Sequence, residues 1–320
     1  MSDALLADIG GTHARFALLR GGDLQPVESL DVARHATPEA AIRQFLSHLP
    51  ADVRLERAVL AAAGPVVDNR CRLTNGTWLL DGRALAAAFG LAEARIVNDL
   101  EALAWAIPHL APGDIRGLGG AGQPAPDAPM AVVAPGTGLG MACWVGGAGG
   151  RVLTSEGGHA SLAANDEPEA AVVAVLRRRF GHVSAERVLS GQGLENLLAA
   201  LAEIDGVAAA PRPAPEITRA ALDDSDPRCR RALELFCGFL GGVAGDAALV
   251  YGARGGVYLG GGIVPGLVDF LARSAFRARF EGKGRLASYA AAIPTAVIVR
   301  PDPAFLGLRG LALRSDRHDG

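Results

Sequence analysis

Ala4-Leu5-Leu6-Ala7-Asp8-Ile9-Gly10-Gly11-Thr12-His13-Ala14-Arg15 opens the chain with a short apolar run, a pair of glycines and the start of an alternating run that ends at Arg20, before Gly21-Gly22. The apolar run predicts a buried strand from Ala4 to Asp8, the glycines a tight turn, and the alternation a returning strand from Ala14 to Arg20. The chain therefore begins with a hairpin. Asp8 stands at the end of its buried strand, where a carboxylate is costly unless a cation or hydrogen bonds meet it. Backbone N–H groups can hold phosphate oxygens only where no side chain blocks the approach, which suits Gly10, Gly11 and the hydroxyl of Thr12. Magnesium carried by ATP would answer the charge of Asp8.

A second turn of the same kind, Gly136-Thr137-Gly138-Leu139-Gly140, follows the apolar run Met130 to Ala134 and leads into a return run reaching Val145. Each half of the chain thus opens with strand, Gly/Thr turn and strand, which hints at duplication. Two facing turns could clamp a triphosphate, whereas either one alone reads first as an ordinary hairpin turn. Two other phosphate motifs are not supported. The chain has no Gly-x-x-x-x-Gly-Lys-Ser/Thr, and its Gly-x-Gly-x-x-Gly match, Gly117 to Gly122, leads into a proline-rich loop instead of a helix.

Between these turns strands and helices alternate as in an α/β fold. Thr37-Pro38-Glu39 is a helix start leading into Ala40 to Leu49, Arg57 to Ala63 a buried strand, and Asp81 to Phe89 a helix closed by Gly90. Arg95 to Asn98 is a strand feeding a helix that runs through Ala106. Ala111 to Pro129 is rich in Gly and Pro without a period and marks a boundary near residue 110. Glu169 to Ala253 is mostly helical, broken by the loop Gly206 to Pro215, with a long helix after Asp226-Pro227. Gly256 to Gly262 is an apolar strand ending in three glycines. Thr295 to Arg300 is the last strand, and Phe305 to Leu313 the last helix.

At 320 residues, half of them hydrophobic and a fifth charged, the chain has room for two domains of a globular protein. A formal charge of -3 gives no general positive field for nucleic acid or an anionic membrane surface. Met1 to Gly11, with Asp3 and Asp8, does not read as a secretory signal. No stretch reaches about 18 uninterrupted apolar residues, the longest being cut by Asp246, Arg254 and glycines. These features predict a cytoplasmic protein without nucleic-acid or membrane partners. Cys71, Cys143, Cys229 and Cys237 have neither redox nor metal-ligand spacing and read as buried reduced thiols.

Three further places carry polar groups that could work on a ligand. Asn98-Asp99 lies where an apolar strand ends and a helix begins, a position that fits either a helix cap or a working carboxylate. Glu156 and His159 lie in a glycine-containing loop that can bring an acceptor and a donor or acceptor to one ligand, although a satisfied loop histidine is also consistent. Glu186 follows Ser184 at a helical turn, where an acid stabilises a helix start.

The motifs Asp8 to Arg15, Leu73-Thr74-Asn75, Val97-Asn98-Asp99, Pro135 to Gly140, Ser155 to His159, Ala185-Glu186-Arg187 with Ser190-Gly191, and Leu259 to Gly262, in this order, resemble bacterial glucokinase of the hexokinase superfamily over almost the whole chain. The resemblance implies a two-domain actin/hexokinase-like, ribonuclease H-like fold with the sugar in a cleft. Residues 1–110 with the C-terminal helix, 301–320, would form a small domain and 111–300 a large one. It implies ATP-dependent phosphorylation of glucose at the 6-hydroxyl, with Asp99 as general base and Asn75, Asn98, Glu156, His159 and Glu186 on sugar hydroxyls. Asp8, Gly10, Gly11, Thr12, Thr137 and Gly138 would surround the nucleotide phosphates and Mg2+, with Gly260, Gly261 and Gly262 near the adenosine. A homodimer is implied by the family alone. His13 stands where many relatives have Asn. The repressor-and-kinase sugar kinases resemble the chain around Glu156 and His159 but add a zinc-binding cysteine cluster, and no cysteine lies between Cys143 and Cys229, so the non-zinc branch fits better. A kinase for fructose, mannose or an amino sugar would share the phosphate machinery, and a sugar-responsive regulator without turnover is the alternative outside catalysis.

Overall fold

The opening hairpin forms as β1 (Asp3–Ile9) and β2 (His13–Arg20), antiparallel, with Ile9 opposite Ala14. The computed structural model describes residues 3–315 except Pro126, Ala148 and Ala209. They fall into two compact units, Met1–Leu110 with Pro301–Gly320, and Ala111–Arg300.

In the first unit β2 is followed by the short strands β3 (Asp23–Leu24) and β4 (Glu28–Asp31), then α1 (Pro38–Ser47) and β5 (Leu55–Ala62). A small meander, β6 (Val66–Val67), β7 (Arg70–Arg72) and β8 (Leu79–Asp81), leads to α2 (Gly82–Phe89), β9 (Glu93–Asn98) and α3 (Asp99–Ala106). The main sheet has the order β3-β2-β1-β5-β9, with β4 also on β2, and β1, β5 and β9 run parallel. β1 is mostly buried and β5 is buried from Ala58 to Ala62, which is why these stretches read as continuous apolar runs and not as alternation. Local chemistry sets the helix ends. Thr37 Oγ1 accepts from Ala40 N with Pro38 in the first turn, and Asp81 caps α2, which Gly90 closes at φ 65°.

The second unit begins with β10 (Ile115–Gly119), β11 (Met130–Pro135), β12 (Leu139–Val145) and β13 (Arg151–Ser155). Four helices follow, α4 (Glu167–Phe180), α5 (Gly191–Ile204), α6 (Ala214–Leu222) and α7 (Pro227–Tyr251). Then come β14 (Gly256–Leu259), α8 (Val268–Arg273), α9 (Phe276–Glu281), α10 (Ala287–Ala292) and β15 (Thr295–Ile298). The sheet order is β10-β15-β14-β11-β12-β13, with β11/β12 an antiparallel hairpin and β11, β14 and β15 parallel. This repeats the arrangement of β1/β2 with β5 and β9. The chain returns to the first unit in α11 (Ala304–Ser315), which packs on α3, β1 and β5.

Three features differ from the sequence reading. Ile115–Gly119 is a strand inside the segment expected to be irregular. Two of its five residues are glycine, so its extended form comes from pairing with the edge offered by β15 and not from local propensity. Pro215 lies within the first turn of α6, a position that tolerates a missing N–H. Among the described residues α7 is long and apolar enough to cross a membrane, with mean hydropathy 1.6 over a stretch that is 67% buried in the fold. Its charge at Asp246 is exposed and pairs with Lys283 at 2.6 Å, while its interior face packs α5, α6 and α9. A Cβ at Gly241 would sit 2.1 Å from Phe276 O and one at Gly245 2.6 Å from Phe280 O, so these glycines let α9 lie directly on the α7 backbone. α7 is the central helix of this unit's core.

Candidate active site

Three parallel strands of the first unit end side by side, with Ile9 of β1 beside Ala62 of β5 and Ala62 beside Asn98 of β9. Open parallel sheets place ligands beyond such carboxyl ends, where polar groups are released from the ladder. Asp8 is the penultimate residue of β1. Its Oδ2 lies 3.3 Å from Arg15 Nη1, and Arg15 Nε lies 3.3 Å from Asp302 Oδ1. The carboxylate is therefore met by a guanidinium, a partner that the sequence reading left without a role. Burial pushes the Asp8 carboxyl above the usual range, Arg15 opposes that shift, and Asp302 adds to it.

Gly10 N donates to His13 O at 2.9 Å and closes the first turn. A Cβ on Gly11 would sit 2.1 Å from the Asn75 carbonyl oxygen, so the bare backbone at Gly11 brings the exposed Asn75 against this turn. Thr74 N donates to Ala63 O at 3.0 Å and ties the same segment to the end of β5. Thr12 is exposed, and His13 Nε2 lies 3.6 Å from Asp31 Oδ1.

Either Asn98 or Asp99 could have capped α3. The cap is Asn98, whose Oδ1 accepts from Leu100 N at 2.9 Å and Glu101 N at 3.4 Å while its Nδ2 donates to Gly64 O at 3.0 Å. Asp99 occupies the first helical position, half-buried, with Oδ1 accepting from Leu100 N at 3.0 Å.

In the second unit four of the singled-out segments converge. The turn between β11 and β12 is closed by Gly136 N donating to Gly138 O at 2.8 Å, with Thr137 exposed at its tip. Gly260 N donates to Val133 O at 3.0 Å, and a Cβ on Gly261 (φ 81°) would lie 2.2 Å from Pro135 O. The Gly260–Gly262 turn thus presses on the end of β11, just before the turn that holds Thr137. Glu156 and His159 flank a 3₁₀ turn whose Gly158 is packed so that a Cβ would lie 2.0 Å from Leu139 O. His159 lies 4.0 Å from both Glu156 Oε2 and Glu186 Oε1. Glu186 Oε2 accepts from Leu139 N at 2.9 Å, and Gly191 N, at the start of α5, donates to Gly136 O at 2.9 Å.

Arg15, Asp302, Gly64, Gly158 and Gly191 were given no role in the sequence reading. Arg15 could have been found from its place opposite Asp8 in the hairpin. Asp302 carries no local signal, since it meets Arg15 only through the return of the chain before α11.

The described residues contain no group of three or more His, Cys, Asp or Glu side chains able to hold a metal ion. A magnesium ion delivered with phosphates keeps most of its ligands as phosphate oxygens and water and needs one or two carboxylates from the protein. Asp8, with its carboxyl raised by burial and lying two residues before the bare glycine turn at Gly10-Gly11, fits that need.

Two α/β units, each built on an antiparallel hairpin that continues into parallel strands, have the actin-like sugar kinase fold. Residues 5–315 match the family model described as Glucokinase. The glucokinase of Chromobacterium violaceum is 44% identical over 319 residues, covering 98% of this chain and 91% of the relative. That of Nitrobacter hamburgensis is 43% identical over 310 residues, covering 97% of each. The crystal structure of glucokinase from an Antarctic psychrotroph superposes with a TM-score of 0.90 at 36% identity, over 98% of this chain and 99% of that one. The chain belongs to the glucokinase family.

Proposed function

We propose that this protein transfers the γ-phosphate of ATP to the 6-hydroxyl of glucose, with Asp99 as the general base. The observation that carries the assignment of the base is the division of labour at the start of α3. Asn98 satisfies the helix N-terminus, so the carboxylate of Asp99 is not required as the cap. As the 6-oxygen attacks the γ-phosphorus, Asp99 accepts the hydroxyl proton, the new O–P bond forms, and the bond to the β-phosphate oxygen breaks to release ADP.

Asn75, Asn98, Glu156, His159 and Glu186 are assigned to the sugar hydroxyls. Amides, carboxylates and imidazole together supply the donors and acceptors that a polyol needs. Asp8, Gly10, Gly11, Thr12, Thr137 and Gly138 are assigned to the phosphates, and Gly260, Gly261 and Gly262 to the adenosine side of the nucleotide. Asp8 would hold Mg2+ through water. Mg2+ bound there offsets phosphate charge in the transition state. Resemblance supports residues 1–110 with 301–320 as the small domain, 111–300 as the large domain, a cytoplasmic location and a homodimer. A monomer mass by light scattering at micromolar protein overturns the last of these.

The test is coupled detection of ADP release across glucose, fructose, mannose and glucosamine. The expected result is glucose-dependent turnover with the highest kcat/KM for glucose. A higher kcat/KM for another hexose reassigns the substrate, and sugar binding without turnover makes the chain a sugar-responsive regulator.

A further inference from the structure

The carboxylate of Glu186 touches two segments at once. Oε2 accepts from Leu139 N at 2.9 Å, at the end of the glycine turn, and Oε1 lies 4.0 Å from His159 Nδ1, in the loop assigned to glucose. A Cβ built on Gly138 would lie 2.5 Å from the same Oε2, so the absence of a side chain at 138 is what admits the carboxylate to the turn. The other end of Glu186 is anchored as well. Its backbone carbonyl accepts from Ser190 Oγ at 2.9 Å, and that hydroxyl caps α5 by accepting from Gly193 N at 2.9 Å. The side chain is 33% exposed, leaving Oε1 available to a ligand.

Resting on the glucokinase reading above, we propose that Glu186 is a positioning residue that joins the glucose site to the phosphate turn, so that occupancy of each sets affinity at the other. A sugar hydroxyl donating to Oε1 immobilises the carboxylate. The immobilised Oε2 keeps Leu139 N–H, and with it the Gly136–Gly138 turn, in the arrangement that receives phosphate. The same contacts run in reverse, because a coupling free energy between two ligands is reciprocal. A plain sugar ligand would affect glucose alone.

Each site is therefore altered and the ligand of the other is measured, by calorimetric titration of the full chain. Gly138→Ala lies in the phosphate turn, and its methyl displaces only the flexible end of Glu186, so the fold is retained. Its glucose affinity, measured with no nucleotide, is expected to fall at least about fivefold. In the parent, saturating glucose is expected to tighten AMPPNP with Mg2+ at least about fivefold, and in Glu186→Ala that gain is expected to vanish. Glu186→Gln retains an acceptor for Leu139 N–H and is expected to bind AMPPNP within about twofold of the parent while glucose binding weakens. Parent-like glucose binding by Gly138→Ala, no gain in AMPPNP affinity when glucose is added to the parent, or a parent-like gain in Glu186→Ala, overturns the coupling. A parent that binds no glucose overturns the glucokinase reading instead, which keeps the two failures distinct.

Discussion

Asp8 and Arg15 occupy opposing positions on β1 and β2, and Arg15 Nη1 lies 3.3 Å from Asp8 Oδ2. Even with this partner, burial holds the Asp8 carboxyl above its ordinary value of 3.8. Between the ordinary and the raised value the folded state binds more protons than the unfolded one. Stability from this residue is therefore present at low pH and is lost as pH rises through the folded pKa. Asp8→Asn is neutral throughout and is expected to melt above the parent at pH 7, the gain shrinking as the pH is lowered toward 4. In the same variant turnover falls and more Mg2+ is needed for half-maximal rate, while the KM for glucose is nearly unchanged. Unchanged magnesium dependence removes Asp8 from the nucleotide site.

Gly11 is held against Asn75 by a backbone approach that no other residue can make, with a Cβ falling 2.1 Å from Asn75 O. A backbone oxygen cannot swing away as a side chain can. Gly11→Ala is expected to lose roughly 1–3 kcal/mol of stability, the usual range for overpacking. It should also raise the KM for glucose, because Asn75 is pushed from its place. Urea unfolding together with glucose titration measures both, and a parent-like variant would show that this contact is not needed.

All four cysteines are buried and reduced. Burial pushes the Cys143 thiol up to about 11 and the Cys237 thiol up to about 12. It also raises Cys71, where the charge of Asp99 adds to the effect, and Cys229. Thiolate is the reactive form, so the native protein at pH 8 is expected to resist alkylation, and all four thiols should react after unfolding in guanidinium. Rapid labelling of any one in the native state contradicts this, and mass spectrometry counts the adducts.

The hairpins, the parallel strands and most helix ends were legible because each rests on local chemistry. Apolar runs mark β1, β5 and β11, and Thr37, Asp81 and Gly90 signal their own caps. β10 was not legible, since glycine-rich Ile115–Gly119 becomes a strand only beside β15. At the candidate site, sequence placed Asn98 and Asp99 at the end of a strand but could not divide cap from working carboxylate, because the two residues cap equally well. The bond from Leu139 N to Glu186 spans 47 positions and has no local signature. Arg15 with Asp302 is equally a product of the fold, in which residue 302 returns to the first hairpin.

The rate of Asp99→Asn tests the proposed chemistry most directly. Asn98 already caps α3 through Leu100 N and Glu101 N, and an amide at 99 can still accept from Leu100 N, so the variant should fold with little loss of stability. The amide cannot take the proton of the 6-hydroxyl. Turnover should fall by roughly 10² to 10⁴ or more. Each factor of ten is about 1.4 kcal/mol of barrier, so the expected loss is roughly 3 to 5 kcal/mol. Glucose should still bind, more weakly, because the amide can hydrogen-bond a hydroxyl. A folded Asp99→Asn protein that phosphorylates glucose within about threefold of the parent rate contradicts the assignment of Asp99 as the general base.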